Sequence, residues 1–492
     1  MARAIRIGED DDVATLIEDA AAGEAVAAGD IAIVARAPIP RGHKVALAAR
    51  RIGEPVRKYG YPIGRATAAF VPGDHVHAHN LATGLAGEQA YAYDPVVTRA
   101  PAAATAATFM GYPRGDGRVG TRNEIWILPT VGCVARTAER IARAADDKVA
   151  GLVDGIHAFS HPFGCSQLGD DLAATRTMLA SLACHPNAGG VLIVGLGCEE
   201  NQLDALLADI PDGRRAAVRA IGAQMAVDEL EEGVAAVVAL ARAAAAPRVA
   251  VPLDRLVLGV KCGGSDGLSG LTANPLVGRV ATRLAAAGGT VIQTEVPEMF
   301  GAEQVLMNRA ADRGVFDATA AMVNRFKRYF IDHGEPVSEN PSPGNVAGGI
   351  TTLEEKSLGA VQKGGEATVT DVIGYGERVR VAGLTLLEAP GNDAVSCTAL
   401  AAAGATAILF TTGRGTPLGF PVPTVKIATN SALALRKPGW IDFDAGCVID
   451  DGFEAAEAAL LDTVIAIAGG AETAAERNGE REIALWKRGV TL

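Results

Sequence analysis

Aromatic side chains make up only 4% of the 492 residues, and no stretch of about 18 consecutive apolar residues occurs. The Ala- and Val-rich run that ends near Ala246 is interrupted by Arg242. No membrane-spanning helix is therefore expected. Cysteine is sparse as well: seven, an odd number scattered along the chain, which fits a reducing compartment better than a disulfide framework. Lys and Arg total 45 against 57 Asp and Glu, a formal net charge of −12 with no basic block. That balance argues against a nucleic-acid footprint, which needs clustered cations. The opening MARAIRIGEDDD reaches acidic residues before any apolar segment and does not read as a signal peptide. A soluble, cytoplasmic protein is expected. No G-x-G-x-x-G opens a helix in a βαβ unit, and G-x-x-x-x-G-K-[ST] does not occur, so dinucleotide and nucleotide triphosphate chemistry lack support.

Small residues are what the chain has in quantity. Gly contributes 58 positions and the AVILMFWYC set 49%, enough for large cores of compact aliphatic side chains joined by many tight turns. At about 150 residues per domain the length suggests roughly three domains. Residues 1–100 read as a small β module plus linker, with short apolar runs at 31–36 and 44–48 and turn signals such as PIPRGH and GYP. Residues 81–108 lack a period and are long enough to let this module move. From residue 101 apolar strands alternate with Gly-rich turns and helices, the grammar of parallel α/β domains. Pro252 marks a boundary between a first α/β domain, 101–250, and a second, 251–492.

Polar, Gly-rich turns follow strand after strand: PTVGC, SHPFGCSQLGDD, GLGCEENQ, KCGGSDGLSG, EVPEMFGAE, EAPGNDAVS and TTGRGTPLG. In parallel sheets such turns converge beyond the carboxyl ends of the strands, where ligands sit. The densest side-chain signal is GDHVHAHN, where His75, His77 and His79 alternate along one strand face. Imidazoles at i, i+2 are good ligands for Fe²⁺, Mn²⁺ or Zn²⁺; the alternative is a solvated edge strand. Cys133, Cys165, Cys198 and Cys262 each stand in a Gly-rich turn but in no C-x-x-C pair. Small buried thiols are the common case, while thiolates brought together by the fold could hold a metal or an iron–sulfur cluster. Arg114, Arg118, Thr121, Arg122 and Asn123 precede the strand at 125–128; guanidinium forks suit a carboxylate, and Thr and Asn suit hydroxyls.

Taken together, GRVGTRNEIWILPTVGC, SHPFGCSQLGDD, GLGCEENQ, CGGSDGLSGLTANP, EVPEMFGAEQ, NPSPGNVAGGITTLEEKSLG, APGNDAVS and TGRGTPLGFPVPTVKIATN resemble the altronate/galactarate dehydratase family. RGHKVAL, KYGYPIGRAT and GDHVHAHN resemble the small β-clip (SAF-type) domain at that family's N-terminus. The resemblance implies a SAF-like β-clip domain followed by two Rossmann-like, mostly parallel α/β domains. It implies a hydro-lyase removing water from D-altronate to give 2-dehydro-3-deoxy-D-gluconate in hexuronate breakdown. Ferrous iron is the implied cofactor, with Mn²⁺ a substitute and an iron–sulfur cluster an alternative. A metal chelating the carboxylate and 2-hydroxyl would stabilise the anion left when the C2 proton departs, and a second group must protonate the leaving 3-hydroxyl. Residue by residue, His75 and His77 match the H-x-H motif, for metal or acid–base work. Cys165, Cys198 and Cys262 are further metal candidates, and Lys44, Lys58 and His161 candidate acid–base or carboxylate-balancing groups. Arg118, Thr121, Arg122, Asn123, Asn392, Asp393 and Arg414 are expected to bind the sugar acid. Galactarate or another sugar acid is the nearest alternative substrate, and a non-enzymatic sugar-acid binding protein is the alternative of another class. Expected partners are the sugar acid and a second copy of the chain, with no nucleic acid or membrane.

Overall fold

The computed structural model describes residues 1–96 and 107–491. The front module packs two small sheets. One has six strands in the order Ile31–Val34, Ala25–Ala28, Ala2–Ile5, Val13–Leu16, Lys44–Ala46, His75–Val76. The other has three, in the order Pro55–Lys58, Tyr61–Ala66, Leu81–Ala82. Leu16, Val26, Ile39 and Val45 fill one core, and Val56, Ile63, Phe70 and Val76 are continuous with the core of the C-terminal unit. The module is thus seated on its neighbour by shared apolar packing.

The second unit carries a four-stranded parallel sheet in the order Gly155–Ala158, Glu124–Pro129, Ala188–Gly195, Val218–Gly222. EIWILP is buried at every position, as expected of a parallel strand covered on both faces by helices. Ala135–Val149 and Glu229–Ala244 cover one face, where Ile141 and Leu240 meet Ile125 and Ile127. Gly169–Ala183 covers the other, placing Met178 against Trp126 and Leu128.

The C-terminal unit is a seven-stranded parallel sheet in the order Val369–Ile373, Gly383–Leu387, Thr290–Gln293, Val257–Cys262, Ala407–Thr412, Thr424–Ala428, Phe443–Asp444. The chain enters at Val257–Cys262, builds outward on one side, then returns to build on the other. The switch point therefore lies between Val257–Cys262 and Ala407–Thr412, where diverging connections leave a crevice at the carboxyl ends. An antiparallel sheet of Val119–Gly120, Thr108–Pro113 and Val249–Pro252 links the α/β units, so Pro252 ends a strand rather than a free connection.

Gly169–Ala183 packs along Asp393–Ala403, and just past both helix ends the His185 ring nitrogen Nε2 lies 3.0 Å from the Ala405 carbonyl oxygen. Both helices begin at the carboxyl ends of their sheets and finish at one level. The two sheets consequently turn their carboxyl ends to the same side of the molecule.

Residues 81–96 are not the loose linker expected from their composition. Thr83 Oγ1 and Gly84 N donate to Glu354 (2.9 and 2.7 Å), and the Gln89 backbone exchanges hydrogen bonds with the Asn324 side chain. Tyr91 Oη donates to Glu303 and accepts from Lys327. Asn324 and Lys327 belong to the helix Arg313–Asp332, whose buried stripe Phe316, Met322, Val323 and Phe326 escaped the sequence-based assignment. The rest of the expected linker, 97–106, lies outside the described residues.

Candidate active site

At the switch point the loop after Cys262 runs Gly263, Gly264, Ser265, Asp266. Asp266 is half-buried, and its carboxylate accepts from Thr429 Oγ1 and Ser269 Oγ (both 3.0 Å), which fixes the loop on the crevice floor. The turn at Gly42 of the front module rests on this loop and on Gly348 and Gly349. Gly267 N donates to Gly348 O at 2.7 Å, and a Cβ on Gly267 would overlap the Gly42 carbonyl, so only backbone fits between the two units.

That seating carries four imidazoles to the junction. The rings of His43, His75, His77 and His79 have neighbouring centroids 4.8 to 5.5 Å apart, and His43 Nδ1 lies 3.0 Å from His75 Nε2. His77 Nε2 faces the Val346 carbonyl at 3.0 Å, and His43 Nε2 faces that of Ala347 at 3.4 Å, at the end of the helix Pro343–Ala347. Carbonyls only accept, so these nitrogens carry the protons and His77 Nδ1 is left as a free lone pair. Burial pushes His75 down to about 4, helped by His43 and the other rings; burial likewise lowers His43 and His77. His43, His75 and His77 are therefore neutral at pH 7.

Behind the rings Glu355 accepts from Lys44 Nζ and Lys58 Nζ, both at 2.8 Å, with all three side chains buried. Lys44 also donates to Gly349 O at 2.7 Å. Burial lowers Lys44 to about 8 against the pull of Glu355. Burial opposes the charge on Lys58 too, but Glu355 outweighs it and holds Lys58 above the usual range. Both amines are engaged by Glu355, and Lys44 by the Gly349 carbonyl as well. Their positions suit seating the module and keeping the rings neutral, in place of the proton transfer expected of Lys44.

The depressed imidazoles make stability depend on pH. The unfolded rings protonate near 6.5, whereas folded His75 resists protonation down to about 4. Between those values the unfolded chain holds more protons, so stability is full above about 6.5 and falls as the pH drops toward 4. Melting curves over that range should show Tm falling less steeply in His75→Gln than in the parent chain; parallel slopes would contradict the assignment.

A second cluster lies beneath the loop. Among the described residues Cys262, Glu295 and Glu298 place ligand atoms within 4.8 Å of one another, all buried. Lys363 Nζ stands 2.9 Å from Cys262 Sγ, Lys356 pairs with Glu298 at 2.9 Å, and Lys261 pairs with Glu295 and, at 2.8 Å, with Asp393. Burial and then Glu295 raise the Cys262 thiol to about 12. Three ammonium groups already fill the places of a cation, so this closed ion network does not fit a metal, contrary to the expectation for Cys262.

Comparison with known proteins decides the family. Residues 2–84 match the Altronate/galactarate dehydratase SAF domain, 111–245 the D-galactarate dehydratase/Altronate hydrolase second domain, and 253–491 the D-galactarate/Altronate dehydratase C-terminal domain. The chain is 49% identical over 492 residues to altronate dehydratase of Escherichia coli (strain K12), and 46% over 493 to that of Bacillus subtilis (strain 168), covering 99% of each chain. This chain belongs to the altronate/galactarate dehydratase family. A galactarate dehydratase (L-threo-forming) from Escherichia coli (strain K12) is 31% identical over 429 residues, covering 83% of this chain and 82% of that protein. The front module is the family's SAF domain, followed by its two α/β domains; the chain is a carbon–oxygen lyase of the hydro-lyase type.

Within this dehydratase framework the residues expected from sequence divide by position. Arg414 borders the crevice, its Nη1 donating to Gly344 O at 2.7 Å on the helix that ends beneath the imidazoles. Asp393 stands beside Gly263, while the Asn392 side chain caps the helix Asp393–Ala403 through Val395 N. Arg118, Thr121, Arg122 and Asn123 lie instead at the amino end of Glu124–Pro129, away from the crevice. Arg118 pairs with Asp116; Thr121 Oγ1 donates to Thr406 O; Arg122 takes the Glu476 carboxylate with both arms of its fork; Asn123 binds Arg114 and Ala244 O. Thr121 and Arg122 tie the second domain to the C-terminal one, while Arg118 and Asn123 brace the second domain itself. His161 is buried with Nε2 2.8 Å from Pro129 O and Nδ1 accepting from Phe163 N, so neither nitrogen is free for the proton donation expected of it. Cys165 and Cys198 sit on exposed loops of the second domain, apart from the imidazoles. His43 and Glu355 went unassigned in the sequence, although RGHKVAL and TTLEEKSLG carry them.

Proposed function

We propose that this chain dehydrates D-altronate to 2-dehydro-3-deoxy-D-gluconate in hexuronate breakdown, with ferrous iron, or Mn²⁺ in its place, at the imidazole cluster. The observation that carries the reading is the group of neutral imidazoles, His43 buried and His75 and His77 half-buried, at the carboxyl-end crevice between SAF and C-terminal domains. Their lone pairs and mutual proximity fit a borderline divalent cation. His75 and His77, with His43, would hold it, and it supplies a Lewis acid for a carboxylate and adjacent hydroxyl. The chain's own groups do the rest. The Arg414 guanidinium takes the carboxylate, and Asp393, paired with Lys261, accepts from a distal hydroxyl. An imidazole not engaged by a cation removes the C2 proton, and the resulting imidazolium is placed to protonate the departing 3-hydroxyl. We place the enzyme in the cytoplasm as a homodimer, acting without nucleic acid.

Incubating the purified chain with altronate, galactarate and other sugar acids, with and without Fe²⁺, and following 2-keto-3-deoxy product, tests this reading. Altronate should turn over fastest and only with metal; faster galactarate turnover, or binding without product, overturns it. Arg414→Ala should raise KM for altronate about tenfold to a hundredfold, the worth of a charge-assisted hydrogen bond, with a smaller change in kcat.

A further inference from the structure

We propose that Cys133, Cys165 and Cys198 of the second domain hold a [4Fe–4S] cluster, leaving its fourth iron without a protein ligand. The three cysteines follow the adjacent strands Glu124–Pro129, Gly155–Ala158 and Ala188–Gly195, at the carboxyl end of the sheet. Their loops are strapped to one another by residues that flank the thiols. Gly132 N donates to Phe163 O (2.9 Å), Asn201 N to Gly164 O (3.0 Å) and Asn201 Nδ2 to Thr130 O (3.0 Å). Ser166 N donates to Glu200 (2.6 Å), and the Glu199 carboxylate binds Thr130 Oγ1 and two backbone N–H groups of its own loop. His161, Glu199 and Asn201, the struts, are buried; all three cysteines are exposed and free of disulfides.

That inversion is unusual, because a free cysteine without a task is normally among the most buried of residues. Ser166, directly after Cys165, adopts φ +57, a left-handed conformation uncommon for serine and held by the Glu200 contact; such strain collects at functional positions. The three sulfurs do not meet the close mutual spacing, within 4.8 Å, of Cys262, Glu295 and Glu298. A cuboidal cluster binds each thiolate on a different iron, so its sulfurs need not meet the spacing that a single ion demands. Thiolates gathered from separate loops are the ligands such clusters use. Gln224 Nε2, 3.6 Å from Cys198 Sγ, adds an N–H donor to one sulfur. The open corner would offer iron to a hydroxyl or carboxylate on the same side of the molecule as the C-terminal crevice; only that link rests on the dehydratase reading.

The test uses the full chain, reconstituted under nitrogen with ferrous iron and sulfide, then desalted. About four iron and about four acid-labile sulfide should stay bound per chain, with broad visible absorption. Cys133→Ser, Cys165→Ser and Cys198→Ser should each lose most of the sulfide and colour at unchanged Tm, whereas Cys447→Ser keeps both. No retained sulfide in the parent chain, or equal sulfide in the triple serine variant, overturns the cluster. Altronate turnover with Fe²⁺ in sulfide-free chain, together with no cluster on reconstitution, defeats this inference and leaves the dehydratase reading intact. A cysteine-dependent cluster without turnover of any sugar acid does the reverse.

Discussion

Glu355→Gln is expected to cost about 3–5 kcal/mol, enough to leave the chain largely unfolded or its front module unseated at 37 °C. The carboxylate is 1% exposed and is the anion both Lys44 and Lys58 pair with. Without it two buried ammonium groups face each other across an amide that offers one acceptor. Because both lysines belong to the SAF domain and Glu355 to the C-terminal one, the loss should fall on the junction first. Denaturant unfolding and limited proteolysis of the front module measure it. Pairing Glu355→Gln with Lys58→Met should recover part of the loss, since the second change removes one orphaned charge. A single variant within about 1 kcal/mol of the parent chain would show that the junction rests on apolar packing alone.

Removing the imidazoles should act on chemistry and spare folding. His75→Ala and His77→Ala should each lower kcat by about 10²–10⁴, the usual worth of a positioned acid–base group, and reduce bound iron. The rings are half-buried and border the crevice, so Tm above pH 7 should move little. The split between lost turnover and kept stability distinguishes these residues from Glu355. Full activity with unchanged iron in both variants would move the reaction centre elsewhere.

Much of the fold can be read from the chain. The apolar runs 125–128 and 190–194 became central parallel strands, the run read over 255–260 became Val257–Cys262, and His75 and His77 stand beside one another although the strand ends at Val76. The errors have physical causes. Arg118 to Asn123 sit next to a strand, but polarity alone does not tell the amino end from the carboxyl end, and only the latter faces the crevice. Lys44, Lys58, Lys261 and Lys363 are each no more than 2% exposed. Lysine is so rarely buried that such a network is legible only once its carboxylates come together from distant segments. His43 lacks a neighbouring histidine in sequence and joins the cluster solely through the pairing of Lys44–Ala46 with His75–Val76. Net charge said least about the site: a −12 chain that acts on a sugar acid must rely on local cations.

The strap formed by residues 81–96 makes the SAF domain an intramolecular ligand of the C-terminal domain. Its local concentration is set by tether length and not by how much protein is present. Half of the imidazole junction therefore never has to be found by diffusion, and dilution of the enzyme leaves that junction assembled.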